Sequence, residues 1–188
     1  MSLFDHRPKL LVFAGPNGSG KSTVTKSNQI VGEYVNADRI KAIKGCSDLE
    51  AAQEAECLRE YLLKLRMDFT FETVLSTPRN LLLLQRAHDA GYFIRVIFVL
   101  TNDSSINVQR VAERVSKGGH DVPEEKIRSR YIKSLENVKE LYKIVDDLWI
   151  YDNSGEEPVL VCTVQDKRLT YFDNKSWSQE AVANLFQI

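Results

Sequence analysis

The chain has 188 residues, 43% of them hydrophobic and 27% charged, with 9 Gly and 5 Pro, which excludes disordered, collagenous and disulfide-scaffold classes and leaves one domain with an insertion as the starting expectation. Lys plus Arg number 25 against 26 Asp plus Glu, so a formal charge of -1 gives no overall reason to expect a nucleic-acid or anionic-membrane partner. Cys46, Cys57 and Cys162 form no CxxC pair and His6, His88 and His120 are equally scattered, so no thiolate or imidazole metal site is spelled out. The cysteines read as small buried hydrophobes in a reducing, cytoplasmic setting. The longest apolar runs, Leu10 to Ala14 and Val96 to Leu100, are far too short to span a membrane, and no signal peptide is visible.

In chain order, Lys9 to Ala14 is an apolar run stopped by Gly15 and predicts a buried strand, with Lys21 to Ile30 as the following helix. A short strand is expected at Tyr34 to Ala37. Ser47 and Glu50 make a capping-box signature for a helix carrying Leu58, Leu62 and Leu65 and ending near Met67. Asp68 to Leu75 reads as a strand, Arg79 to Ala90 as a helix stopped by Gly91, and Tyr92 to Leu100 as the strongest strand of the chain. Ser104 to Lys117 is helical, Gly118 and Gly119 break it, and Pro123 opens a long helix to about Val145 with Ile127, Tyr131, Leu135, Val138 and Tyr142 on one face. Leu148 to Tyr151 is a fifth strand. Val159 to Thr163 and Arg168 to Phe172 suit a hairpin across Gln165 to Lys167, before a last helix from Ser178. The alternation predicts an α/β fold: a parallel five-stranded sheet covered by helices on both faces, with a C-terminal β-hairpin and, over residues 104–145, a helical lid within a single domain. Ligands of such sheets sit at the carboxyl ends of the strands.

The chemistry begins at that edge. Gly15-Pro16-Asn17-Gly18-Ser19-Gly20-Lys21-Ser22 fits G-x-x-x-x-G-K-[ST] between a predicted strand and a predicted helix, as a phosphate-binding loop requires. Glycines let successive N–H groups turn inward, Lys21 reaches the outer phosphates, and Ser22 offers a hydroxyl to magnesium, with Thr23 next in line. The only Asn-Lys pair, Asn174-Lys175, is not followed by the aspartate of a guanine-reading segment, which favours ATP. Asp38, just past the second strand, suits a base for an acceptor hydroxyl, or else an N-cap for the turn that follows. Glu72 is a carboxylate in an otherwise buried strand, placed for acceptor binding or magnesium support, with Thr73, Ser76 and Thr77 beside it as hydrogen-bonding hydroxyls. Arg110, Arg114 and Lys117 share one helix face, and Arg128 and Arg130 follow across the glycine pair, a cationic pattern suited to closing over ATP.

Together these residues resemble the zeta-toxin-like family of P-loop kinases: the loop Gly15 to Thr23, Asn36-Ala37-Asp38, Phe71-Glu72-Thr73 with Leu75 to Thr77, Arg110 to Val115, Gly118 to Pro123, Arg130-Tyr131 and Ser134. The resemblance extends from the first strand to the Tyr151-Asp152-Asn153-Ser154 turn. It implies that the Glu72 strand lies beside the loop strand, and that ATP and magnesium serve phosphorylation of a sugar-nucleotide hydroxyl, UDP-N-acetylglucosamine in the toxins. It makes Asp38 the base, Lys21, Arg114 and Arg130 the phosphate cations with Arg110 on the nucleotide, and Glu72 an acceptor contact. An antitoxin protein is the partner it implies. Ser76 stands where the toxins usually carry an arginine, and the chain is shorter than theirs, so the acceptor stays open. The competing readings are an ATPase or nucleotide switch acting on a protein, and a nucleic-acid-end kinase.

Overall fold

A computed structural model describes residues 7–187; His6 lies outside that range. The elements in chain order are β1 (Lys9–Ala14), α1 (Lys21–Lys26), β2 (Glu33–Val35), α2 (Ala37–Lys44), α3 (Asp48–Lys64), β3 (Phe69–Thr73), α4 (Pro78–Asp89) and β4 (Phe93–Leu100). There follow α5 (Ser104–Ser116), α6 (Glu124–Glu136), α7 (Val138–Ile144), β5 (Asp147–Asp152), β6 (Val159–Gln165), β7 (Arg168–Tyr171) and α8 (Gln179–Phe186). All strands join one sheet in the order β2-β3-β1-β4-β5-β6-β7. The first five run parallel, with Glu72 of β3 registered against Phe13 of β1.

The expected five-stranded parallel sheet is therefore corrected to a mixed sheet of seven. The hairpin β6–β7 is part of it, because the connection out of β5 is too short for a crossover and the chain can return only antiparallel. Val161, Cys162 and Val164 bury this extension, and Asp166 and Lys167 turn the hairpin with φ of 49° and 62°, the handedness that matches strand twist. Strand alternation then divides the core. Leu10 and Val12 face the large cluster shared with α3, α4, α7 and α8, whereas Leu11 and Phe13 face a smaller one with Val24 of α1, Ile97 and Val99.

Three helical expectations differ from the structure. The helix after the loop ends at Lys26, with Ser27 as its C-cap, rather than at Ile30. Residues expected to be a turn after the second strand form α2, capped by Asn36 and closed by Gly45 at φ 65°; no residue of α2 is buried, so it carries no apolar period to announce it. The long helix after Pro123 breaks at Asn137 into α6 and α7. At α3, the Ser47–Glu50 capping box is present in both halves. Of the cysteines read as buried hydrophobes only Cys162 is one; Cys46 is half-buried and Cys57 exposed. No helix among the described residues is long and apolar enough to cross a membrane.

Candidate active site

The loop after β1 is held in a shape only its glycines permit. Gly15 has φ +139° and Gly20 φ +88°; a Cβ at Gly15 would meet the Val99 carbonyl oxygen at 2.0 Å, and one at Gly20 the Asn153 Nδ2 at 2.0 Å. The backbone N–H groups of Gly18, Gly20, Lys21 and Ser22 have no acceptor among the described residues, leaving a nest of converging donors. Three side chains from sequence-distant elements clamp the loop. Asn107 Nδ2 donates to Asn17 O at 2.7 Å, Asn153 Nδ2 to Ser19 O at 2.8 Å, and Arg130 Nη1 to Asn17 Oδ1 at 3.2 Å.

Lys21 lies back along this loop, its Nζ donating to Gly15 O at 2.7 Å and Pro16 O at 2.9 Å. Burial pulls its pKa down from 10.5 to about 8, opposed by the charge of Glu72 and reinforced by that of Arg114. A cation so desolvated gains more from a phosphate than an exposed one would.

A cleft of about 410 Å³ brings the predicted residues together: Asn17, Gly18, Gly20, Lys21 and Ser22 on one side, Asn36, Asp38, Glu72 and Thr73 on another, and Arg110 and Arg114 on a third. Asp38 lies exposed in the first turn of α2; the N-cap role is taken by Asn36, whose Oδ1 accepts from the Arg39 N–H at 3.0 Å. Glu72 is half-buried between buried Phe71 and Thr73, and accepts a 2.5 Å hydrogen bond from the Tyr34 hydroxyl. That hydroxyl in turn accepts from Asn36 Nδ2 at 3.0 Å, so β2, α2 and β3 share one network. Burial and the Glu72 carboxylate push the Tyr34 pKa upward, keeping the phenol a donor.

The cations converge only in part. Arg110 lines the cleft while its guanidinium donates to Asn153 O at 2.7 Å and Gly155 O at 3.3 Å, fastening α5 to the turn after β5. Arg114 lines the cleft and donates to His120 O at 2.7 Å. Arg130 reaches the loop through Asn17, whereas Arg128 is spent on Glu124 and Ser104. Lys117, Ser76, Thr77 and Thr23 are not among the cleft's lining residues, and the Ser19 side chain is buried inside the loop with its Oγ unpartnered.

The turn after β3 is fixed from beyond the cleft. Leu75 is buried at φ 56°, a left-handed conformation costly for a branched residue. It is held because Leu75 N donates to Thr73 Oγ1 at 2.9 Å, Ser134 Oγ to Val74 O at 2.8 Å, and Asn137 Nδ2 to Leu75 O at 2.8 Å. The same Asn137 that breaks the long helix thus ties it to the turn after β3. Tyr131 adds a 2.6 Å bond from its hydroxyl to Thr101 O, and burial pushes its pKa up to about 12.

Residue-by-residue reading missed Tyr34, Asn107, Asn153 as the clamp and Arg59 as part of the wall. Asn107, completely buried on α5, carried a signal: a polar side chain among the apolar positions of an amphipathic helix. Tyr34 and Asn153 carried none, because their partners are 38 and 134 residues away, and Arg59 read as an ordinary charged position of α3.

The donors fit a magnesium nucleotide. The Ser22 hydroxyl is exposed in the cleft with no partner among the described residues, of which Asp38 and Glu72 supply the only carboxylates of the lining, an oxygen-only set that suits a hard cation completed by phosphate oxygens.

One sequence family, described as Zeta toxin, matches residues 37–161, more than half of the chain. The chain belongs to the zeta toxin family. The zeta toxin match begins one residue before Asp38 and leaves out the phosphate loop, which the fold returns to the same cleft. An uncharacterized protein of Haemophilus influenzae is 29% identical over 129 residues, covering 65% of this chain and 92% of that one. Among solved structures, AvrRxo1-ORF1:-ORF2 with ATP superposes with a TM-score of 0.69 at 14% identity, over 88% of this chain and 60% of that one. The PezAT chromosomal toxin-antitoxin system of Streptococcus pneumoniae gives 0.58 at 16% identity, over 97% and 84%. The Pnkp1/Rnl/Hen1 RNA repair complex gives 0.56 at 18%, over 95% and 55%. At these identities the likeness is one of fold, and the chain spans about 60% of the length of the AvrRxo1 chain.

Proposed function

We propose that this member of the zeta toxin family is an ATP-dependent kinase that transfers the γ-phosphoryl group to a hydroxyl of a small-molecule acceptor. The observation that carries the reading is the single cleft in which a phosphate nest and Lys21 face Asp38 and Glu72. A nest alone would serve any nucleotide protein; a carboxylate opposite it, on an independent helix, is what an acceptor hydroxyl needs. In this scheme the loop N–H groups and Lys21 hold the outer phosphates, and Ser22 holds magnesium with support from Glu72 or Asp38. A magnesium ion held there would supply positive charge against the phosphates. Asp38 accepts the acceptor's proton, Glu72, steadied by Tyr34, orients the acceptor together with Thr73, and Arg114 and Arg130 stabilise charge on the transferring group.

Residues 104–145 act as the lid within a single domain. The support is Gly118 at φ +82°, whose Cβ would meet nothing within 4 Å, between an α5 and an α6 that both reach the loop or its cleft. The ATP named with AvrRxo1 and the antitoxin named with PezAT make ATP the donor to test first and an antitoxin protein the partner to seek. A sugar nucleotide such as UDP-N-acetylglucosamine is the first acceptor to test, and the free thiols suit a cytoplasmic setting.

An ADP-release screen over sugar nucleotides, free sugars, nucleosides and oligonucleotides tests the reading. Asp38→Asn should lower acceptor-dependent turnover by about 10²- to 10⁴-fold while ATP affinity holds. Equal ADP release with every acceptor and with none would make the protein an ATPase instead.

A further inference from the structure

Arg59 of α3 is a cation with no direct ion-pair partner among the described residues; the charges of Glu56 and Glu60 act on it only from a distance. It makes no hydrogen bond or ion pair with any described residue, and its Nε is buried with no acceptor. The neighbouring carboxylates are engaged elsewhere: Glu56 with Arg79 at 2.8 Å and Glu60 with Arg86 at 2.5 Å. What Arg59 touches is the ring of Phe71, its Cζ 5.1 Å from the centroid, one residue before Glu72. A buried guanidinium N–H left unpaired costs free energy that a protein ordinarily avoids by pairing it.

The position of Arg59 says what would pair it. Its side chain lines the cleft that holds Asp38 and Glu72, and also a second cavity of about 540 Å³ between α3 and α4. The second buried and unpartnered polar atom of this region, Asn80 Oδ1, belongs to the wall of that cavity, while Asn80 Nδ2 is committed to Thr73 Oγ1 at 2.7 Å. The orphan donor thus belongs to a residue that lines both cavities, and the orphan acceptor stands in the wall of the second.

We propose that Arg59 binds an oxyanion of the phosphoryl acceptor, which is therefore a phosphate- or carboxylate-bearing alcohol whose hydroxyl lies at Asp38 and whose anionic end reaches the junction of the two cavities. The proposal rests on the kinase reading. A planar guanidinium supported on an aromatic face is pre-organised to meet two oxygens at once, which a lysine cannot do. Asn80 Oδ1 is placed to receive an N–H or O–H further along the same ligand.

The test uses the full chain loaded with magnesium and a non-hydrolysable ATP analogue, so that the phosphate loop is filled. Titration with inorganic pyrophosphate should show binding that Arg59→Gln weakens about tenfold or more and Arg59→Lys weakens less, with analogue affinity equal in all three proteins. In ADP-release assays each acceptor is compared as phosphate ester, carboxylate and uncharged alcohol, as with glucose 6-phosphate, gluconate and glucose. The anionic forms should be preferred, the preferred arm identifying the group, and Arg59→Gln should raise KM for them about tenfold or more with kcat within about twofold. Uncharged alcohols used as well as their anionic counterparts, or pyrophosphate binding and KM unmoved in Arg59→Gln, would overturn the proposal. Failure of the analogue to bind strikes the kinase reading first; the difference in pyrophosphate affinity between wild type and Arg59→Gln, to which the loop contributes equally, still reports whether Arg59 holds an anion.

Discussion

Replacing Lys21 by Met should make the nucleotide-free protein gain stability near neutral pH, and the gain should fade as pH rises. In the folded chain the ammonium is buried and its pKa falls from 10.5 to about 8, whereas the unfolded chain restores the ordinary value. Between those two values the unfolded state binds more protons than the folded state, so wild-type stability climbs with pH across that window. The full shift corresponds to about 3 kcal/mol, and the portion traversed between about pH 7 and about pH 9.5 to about 2 kcal/mol. Methionine keeps the aliphatic stem and carries no charge, so it escapes this dependence, although it leaves the Gly15 and Pro16 carbonyls without their Nζ donor. That loss adds a constant offset and leaves the slope untouched. Urea unfolding of both proteins across this pH range gives the difference directly, since every other titrating group is common to the pair. A wild-type minus variant difference that stays flat within about 0.5 kcal/mol from pH 7 to 9.5 would refute a desolvated Lys21. In the proposed scheme the ATP phosphates add to the negative charge of Glu72 at Lys21, so nucleotide binding above about pH 8 should also take up protons, read by calorimetry in buffers of different ionisation enthalpy.

Gly20→Ala should cost about 2–4 kcal/mol, the sum of a left-handed alanine and a Cβ driven into Asn153 Nδ2, and should weaken ATP binding because Asn153 clamps the loop. Thermal unfolding with and without ATP checks it; a melting temperature unchanged from wild type would show that the clamp yields freely. Tyr34→Phe removes the hydroxyl that holds Glu72 and should raise acceptor KM about 5- to 100-fold with kcat changed much less, measured by steady-state kinetics. Ser47→Ala should destabilise the chain by about 1 kcal/mol in urea with ATP affinity unaltered, because the capping box of α3 lies outside the cleft lining.

What the sequence determined by itself is whatever a short contiguous stretch can specify. The phosphate nest needs eight consecutive residues and their glycines, β1 and β4 are built on the continuous apolar runs Leu10 to Ala14 and Val96 to Leu100, and the α3 capping box closes within four positions. Each was legible because its cause is local. The pattern also placed Asp38 at the carboxyl edge of a parallel strand and Glu72 within the strand beside it, since that edge follows from strand direction alone.

Tertiary structure decided the rest. Helix α2 buries nothing and so leaves no period in the sequence, and the break at Asn137 has neither proline nor glycine to mark it, only a side chain that finds Leu75 O from 62 residues away. The hairpin joins the sheet because β5 offers it an edge, a fact about pairing rather than composition. The same holds inside the cleft: Tyr34 matters through Glu72, Asn153 through Ser19, and Arg59 through the carboxylates that pair elsewhere and leave its guanidinium without a direct partner. A residue type advertises what it can do, whereas the desolvation and the partners that make it do so exist only once distant segments of the chain are packed together.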